Sequence, residues 1–169
     1  TPLVGRAEEL GLLRRRWDYA KDGEGQLILL SAPAGFGKSR MTEAFREHLG
    51  DSSISYLQYV ASPFYVNRPF YPFIKRLEWT AGIVRTDTDA QKLDKLEGIF
   101  QGSAENQLEA APLLAALLSL PFGERYPRLQ INELVQKQRT MEALEEQLVQ
   151  PSSCGPILVV FEDAHWIDR

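Results

Sequence analysis

The sequence has a single cysteine, Cys154, and two histidines in 169 residues. One thiol excludes an internal disulfide and any cysteine-built metal cluster, and it fits a reducing compartment. No apolar run approaches the ~20 residues of a membrane span. The opening residues T-P-L have neither the charged nor the apolar region of a secretory signal. The net charge is only −4, which supplies no general nucleic-acid footprint, and Arg14-Arg15-Arg16 reads as the wet face of a helix. Internal repeats, low-complexity tracts, His/Cys ligand clusters and a Ser/His/Asp grouping are all missing. There is no initiator Met, and the sequence stops a few residues past an apolar strand, so a piece of a longer chain is expected. What is present is 44% apolar, enough for one domain over 1–169 with a sizeable core.

The stretch Q-L-I-L-L-S-A-P-A-G-F-G-K-S-R, residues 26–40, reads as strand, glycine loop, helix. Residues 27–30 form a short apolar run that predicts a parallel strand buried on both faces, and a helix is expected from Lys38 to a stop at Gly50. Ala32, Gly37, Lys38 and Ser39 have the spacing G-x-x-x-x-G-K-[ST] of a phosphate-binding loop, the Walker A segment at 32–39, with Ala in the first glycine's place. Gly35 and Gly37 stand where backbone must approach phosphate closely. Ala34, Gly35, Phe36, Gly37, Lys38, Ser39 and Arg40 are therefore candidate nucleotide contacts. Lys38 is expected to reach the β- and γ-phosphates, and the Ser39 hydroxyl to ligate the accompanying Mg²⁺.

The remaining chain alternates helix and strand. An amphipathic helix with Leu10, Leu13, Trp17 and Ala20 on one side precedes the loop, and I-S-Y-L-Q-Y-V suits a second strand. The passage S-P-F-Y-V-N-R-P-F-Y-P-F is read as a loop whose rings mostly anchor on the core, leading into a helix over 71–81. A helical insert occupies about 70–150. Within it, Thr88 and Gln91 match a capping box ahead of Leu93, Leu96 and Phe100, and the Leu/Ala-rich residues 106–120 should be largely buried, with Pro112 near a helix start or a kink. Asn132 caps a last helix with Leu134, Met141, Leu144 and Leu148 as its apolar stripe, ended by Pro151-Ser152-Ser153.

I-L-V-V-F-E-D, residues 157–163, predicts a second fully buried parallel strand delivering Glu162 and Asp163 at its carboxyl end, the Walker B pattern. Ligands bind at the carboxyl ends of such strands, so the acids and the glycine loop are expected to face one crevice. By position Glu162 is assigned to the metal and Asp163 to the attacking water. The shorter Asp163 reaches less far, which implies slow turnover or an exchange of roles. His165, beside Trp166, reads as a hydrogen-bonded structural residue.

P-L-V-G-R with E-E-L, A-G-F-G-K-S-R and V-V-F-E-D-A-H-W-I-D resemble the AAA-type ATPase module of bacterial signalling proteins, the origin-recognition-like and STAND group. The insert, through S-P-F-Y-V-N-R-P-F-Y-P-F-I-K-R-L-E, D-T-D-A-Q-K-L-D-K-L-E, L-L-A-A-L-L-S-L-P and K-Q-R-T-M-E-A-L, is similar to the segment found between class III adenylate/guanylate cyclase domains and tetratricopeptide-like repeats. The resemblance covers nearly the whole chain. It implies an α/β three-layer P-loop NTPase core of the ASCE/AAA type, cytoplasmic, using ATP and Mg²⁺, with nucleotide state controlling self-association and output. Its implied partners are the cyclase and repeat domains of the parent chain, with no direct nucleic-acid or membrane contact. Val4, Gly5 and Arg6 are carried over as positions near the nucleotide base. Ala32-Pro33 stand where Gly-Glu is usual. In this class a further strand with a polar sensor lies between the loop strand and the Walker B strand, and arginines that complete hydrolysis come later. Both lie outside this sequence, so a core truncated after the Walker B strand, weak in turnover alone, is expected. A non-hydrolysing switch module and the ATPase module of a LuxR-type transcriptional regulator remain alternatives.

Overall fold

The computed structural model describes residues 5–50, 54–66, 68–100, 104–123, 125–127, 129–152 and 155–167. Six helices and two strands follow one another as α1 (Ala7–Lys21), α2 (Lys38–Leu49), β1 (Ser55–Val60), α3 (Tyr71–Thr80), α4 (Asp89–Glu97), α5 (Ala104–Leu117), α6 (Glu133–Ser152) and β2 (Ile157–Glu162). β1 and β2 pair in parallel, Ser55 opposite Ile157 through Val60 opposite Glu162. A parallel pair needs a long crossover, and α3 to α6 provide it.

The sheet is covered on both faces, and side-chain alternation shows which element covers which. Leu57 and Tyr59 point toward α3, where they meet Phe73 and Leu77, and Phe161 stacks on Tyr59 at 4.7 Å. On the opposite face Leu158 packs against the cluster that α1 and α2 build from Leu13, Trp17, Met41 and Phe45. Arg46 of α2 lies over the Tyr56 ring, 5.3 Å from its centre. Two helices, a sheet and a four-helix layer thus stack in that order.

The insert holds the best-sealed core. Leu96 and Leu114 are fully buried, together with Leu77, Leu93, Ala110, Ala115 and Leu144. The capping box forms: Gln91 N–H donates to Thr88 Oγ1 at 3.3 Å and the Gln91 side chain accepts from Thr88 N–H at 2.9 Å. Asn132 Oδ1 likewise accepts from Val135 N–H at 2.9 Å and starts α6. Pro112 lies inside α5 rather than near its start. Its missing N–H frees the carbonyl of Leu108, a residue 59% exposed, so water can satisfy the group. α6 ends at Ser152, within the Pro151-Ser152-Ser153 segment expected to stop it.

Three apolar expectations are corrected. Residues 27–30 form no strand: Leu27 is 101% and Leu29 85% exposed, and no backbone ladder reaches them. β2 is open rather than sealed, with Val159 at 37% and Phe161 at 41% exposure. Both have one cause: among the described residues β2 pairs only with β1, and a strand buried on both faces needs neighbours that extend the sheet on either side. In α6, Leu134 and Met141 face outward, while Thr140, Ala143 and Leu144 are buried. α5 packs against α6, and Ala110, Leu114 and Ala115 share one buried cluster with Ala143 and Leu144. Of the rings at 64–73, Phe70 and Phe73 pack on the core, but Phe64 and Tyr65 stay exposed.

Candidate functional site

The glycine loop leaves residue 33 as a turn and becomes helix at Lys38. Gly35 and Gly37 have φ of 81° and 78°, the left-handed region that costs an L-residue about 1–2 kcal/mol. Phe36 N–H donates to Pro33 O at 3.3 Å, and α2's ladder begins with Met41 N–H to Gly37 O at 2.9 Å. The amides of Gly37, Lys38 and Ser39 precede that first bond, so they have no acceptor within the helix. Successive amides around left-handed glycines at a helix start form an anion-binding concavity. A Cβ built on Gly35 or Gly37 would meet nothing within 4 Å, so open space lies in front of the loop.

Lys38 folds its amine back onto the loop, donating to Ala32 O at 2.8 Å and Pro33 O at 3.3 Å. Thr42 ties the first turn of α2 by donating to Lys38 O at 3.0 Å and Ser39 O at 3.1 Å. Ser39 is exposed, and Arg40 runs along α2 to pair with Glu47 at 3.1 Å. Phe36, the loop's one ring, is 60% exposed.

Of the carried-over trio, Val4 lies outside the described residues. Gly5 turns the chain at φ 74°. Arg6 reaches the loop, with Nη2 donating to Phe36 O at 3.4 Å while Nη1 pairs with Glu9 at 2.8 Å. The Arg6 hydrogen bond, first among the causes, holds the Glu9 carboxyl below its ordinary range. Glu9 escaped the sequence reading, although Arg6 and Glu9 at i, i+3 across a helix start were the available signal.

Glu162 ends β2 opposite Val60. It shares a sheet face with Leu158 and Val160, the face that α1 and α2 cover. Asp163 is left-handed, φ 53°, and starts the 3-10 turn Ala164–Trp166 through Trp166 N–H to Asp163 O at 2.9 Å. A non-glycine residue in this region stores strain that clusters at functional sites, and Asp tolerates it better than most. Burial raises the Tyr56 phenol above its ordinary range, and the charges of Glu162 and Glu43 push the same way against Arg46. Tyr56, another residue missed from the sequence, is thus electrostatically linked to Glu162. His165 is exposed and touches Trp166 with ring centres 4.8 Å apart, so the hydrogen-bonded structural part expected of it is corrected to a ring contact.

Lys38 makes its hydrogen bonds within the loop, and no bond in the structure joins it to Glu162 or Asp163. No group of three or more His, Cys, Asp or Glu among the described residues could by itself hold a metal ion. Among the described residues no helix is long and apolar enough to cross a membrane.

An uncharacterized protein of Rhizobium meliloti (strain 1021) is 26% identical over 170 residues, covering 99% of this chain. The chain spans 16% of that relative's length. No solved structure matches the chain. The family model of the AAA ATPase domain matches residues 2–169, and the chain belongs to that family.

Proposed function

We propose that this chain binds ATP at the head of α2 and forms the nucleotide-binding half of an Mg²⁺-dependent regulatory ATPase within a longer signalling protein. The observation that carries the reading is the pair of left-handed glycines, Gly35 and Gly37, at the start of a helix that no side chain caps. Element placement supports a role for the acids at the same hollow. From Arg46 back to Lys38, α2 covers about 12 Å. From Tyr56 to Val60, the partner of Glu162, β1 covers about 13 Å. Because Arg46 lies over Tyr56 and α2 leads directly into β1, an α2 running antiparallel to the strands brings Lys38 level with Glu162.

In this reading the amides of residues 34–39 hold the β- and γ-phosphate oxygens, and Lys38 leaves the Ala32 and Pro33 carbonyls for them. Arg6, fixed by Glu9, steadies the loop beside the base together with Gly5 and Val4, while Phe36 and Arg40 line the same approach. Ser39 and Glu162 would hold Mg²⁺, which supplies neutralisation of phosphate charge when bound. Asp163 accepts the proton of the attacking water, its left-handed backbone turning it away from the β2 axis. Attachment to a cyclase and to repeat domains, and a cytoplasmic setting, rest on the resemblance of the insert.

Steady-state ATP hydrolysis by the full-length parent tests this directly. Turnover should vanish with Lys38→Ala and with Asp163→Ala. Tight binding without turnover in the parent favours the second reading, a non-hydrolysing switch, which the inverted Glu162-Asp163 order supports. A helix-turn-helix at the parent's distant end would instead mark the LuxR-type regulator.

A further inference from the structure

A cavity of about 90 Å³ lies where β1, α3 and α6 meet. Leu57, Leu77 and Leu144 form its buried floor, and Arg76, Thr80 and Gln147 stand on its more exposed walls. It is on the sheet face turned toward α3, whereas α2, into which the glycine loop leads, covers the opposite face.

The group that calls for a ligand is Tyr59, which lines this cavity and is 5% exposed. Its ring is fixed between Phe73 and Phe161, with centres 5.0 and 4.7 Å away, and its hydroxyl makes no hydrogen bond with the protein. Buried hydroxyls are almost always paired. Among the described residues no fully enclosed side-chain oxygen or nitrogen lacks a partner, so the Tyr59 hydroxyl reaches open space, and the space that Tyr59 lines is this cavity. Burial raises the phenol above its ordinary range against the pull of the Arg76 charge, so at neutral pH it is a neutral donor. The polar side chains beside it are equally unengaged. Those of Arg76, Thr80 and Gln147 make no hydrogen bond or ion pair, and the Arg76 guanidinium rests 4.5 Å over the Trp79 ring.

These features select a ligand class. Among the described residues Arg76 is the single charge on the lining and no acid opposes it, so an anion is favoured. A guanidinium fork with a neighbouring hydroxyl donor matches a carboxylate, and the leucine floor takes an apolar body. The cavity is smaller than the ~150 Å³ that admits benzene, which limits that body to a short aliphatic chain. Inorganic phosphate would leave the leucines without an apolar partner.

We infer that this cavity is a binding site for a short-chain aliphatic monocarboxylate, its carboxylate held by Arg76 and the Tyr59 hydroxyl and its chain lying on Leu57, Leu77 and Leu144. Because β1, α3 and α6 all contribute, an occupant ties the insert to the sheet. The site is independent of the reading of the glycine loop. The experiment is titration of the full chain with sodium butyrate at neutral pH, followed by amide chemical shifts and calorimetry, with butyramide in parallel. Saturable shifts at Tyr59, Thr80 and Gln147 are expected, and the uncharged butyramide should bind at least about tenfold more weakly. Arg76→Gln should weaken butyrate about tenfold to a hundredfold, and Tyr59→Phe, which keeps the ring packing, about twofold to tenfold, both with the circular dichroism of the wild type. The butyramide comparison uses the wild-type chain and so stands whether or not the variants fold. No saturation by about 20 mM butyrate, well above a millimolar Kd, overturns the proposal. Butyramide binding as tightly as butyrate, shifts confined to residues 34–39, or an affinity that either folded variant leaves intact overturns it as well.

Discussion

The insert and the ligand end of the molecule are built from similar proportions of apolar residues yet reach opposite degrees of closure. In the insert, Leu96, Ala111, Leu114 and Ala115 are at 0% exposure. At the ligand end, Leu27, Leu29, Phe36 and Phe161 stay open to solvent. The difference is one of range. Four helices enclose one cluster that includes Leu77, Leu96, Leu114 and Leu144, whereas residues 27–30 and β2 need sheet neighbours to cover them. The best-sealed core therefore lies in the insert, and the proposed nucleotide site lies where the framework is open.

That contrast can be broken most severely at Leu114. Leu114→Ala removes a side chain with no exposure and should cost about 2–5 kcal/mol, read as a fall in the denaturant midpoint of the whole chain. Leu29→Ala, at an 85% exposed site, should change stability by less than about 0.5 kcal/mol. At the loop, Gly37→Ala meets no steric obstacle from the protein but must adopt φ 78°. A stability loss of about 1–2 kcal/mol is expected, with a larger loss of nucleotide affinity because the new methyl group enters the open space. Thr88→Ala, which deletes the capping hydroxyl of α4, should cost about 1 kcal/mol in the same denaturant titration.

The smallest effect concerns pH. Asp87 accepts from Lys95 Nζ at 2.6 Å and from Val84 N–H at 2.7 Å, and these bonds, that from Lys95 first, hold its carboxyl below the ordinary carboxylate range. A depressed folded pKa contributes stability that is present above the unfolded value and lost as pH falls through the folded one. The Asp87 side chain is 10% and that of Lys95 36% exposed, so solvent screens the pair only in part and the effect is modest. Asp87→Asn should flatten the acid limb of the stability profile below about pH 4 and leave neutral pH nearly unchanged.

How much of this was legible follows the same division. Conformations dictated by a residue and its near neighbours were readable: the Thr88/Gln91 box, the Asn132 cap and the extents of α1 and α3. Properties set by distant partners were not. The run at 27–30 has strand composition, but composition does not say whether neighbours complete the sheet. In α6 periodicity pointed to Leu134, Met141 and Leu144, of which Leu144 alone is buried, beside Ala143 and Thr140, whose hydroxyl donates to Gln136 O at 2.7 Å. At the site, the loop and the acids could be found from spacing. The Arg6–Glu9 brace and the link between Tyr56 and Glu162 depend on chain segments meeting in space.

The most direct measurement is the calorimetric affinity of the chain for ATP, with and without Mg²⁺, for the wild type, Lys38→Ala and Glu162→Gln. Loss of a charged hydrogen bond is worth about 1.5–3 kcal/mol, so Lys38→Ala should weaken binding about tenfold to a hundredfold in both conditions with its folding unchanged. Glu162→Gln should spare binding without Mg²⁺ and abolish most of the gain that Mg²⁺ brings. ATP affinity indifferent to Lys38→Ala, or a Mg²⁺ gain that survives Glu162→Gln intact, would contradict a single hollow shared by the loop and the acid.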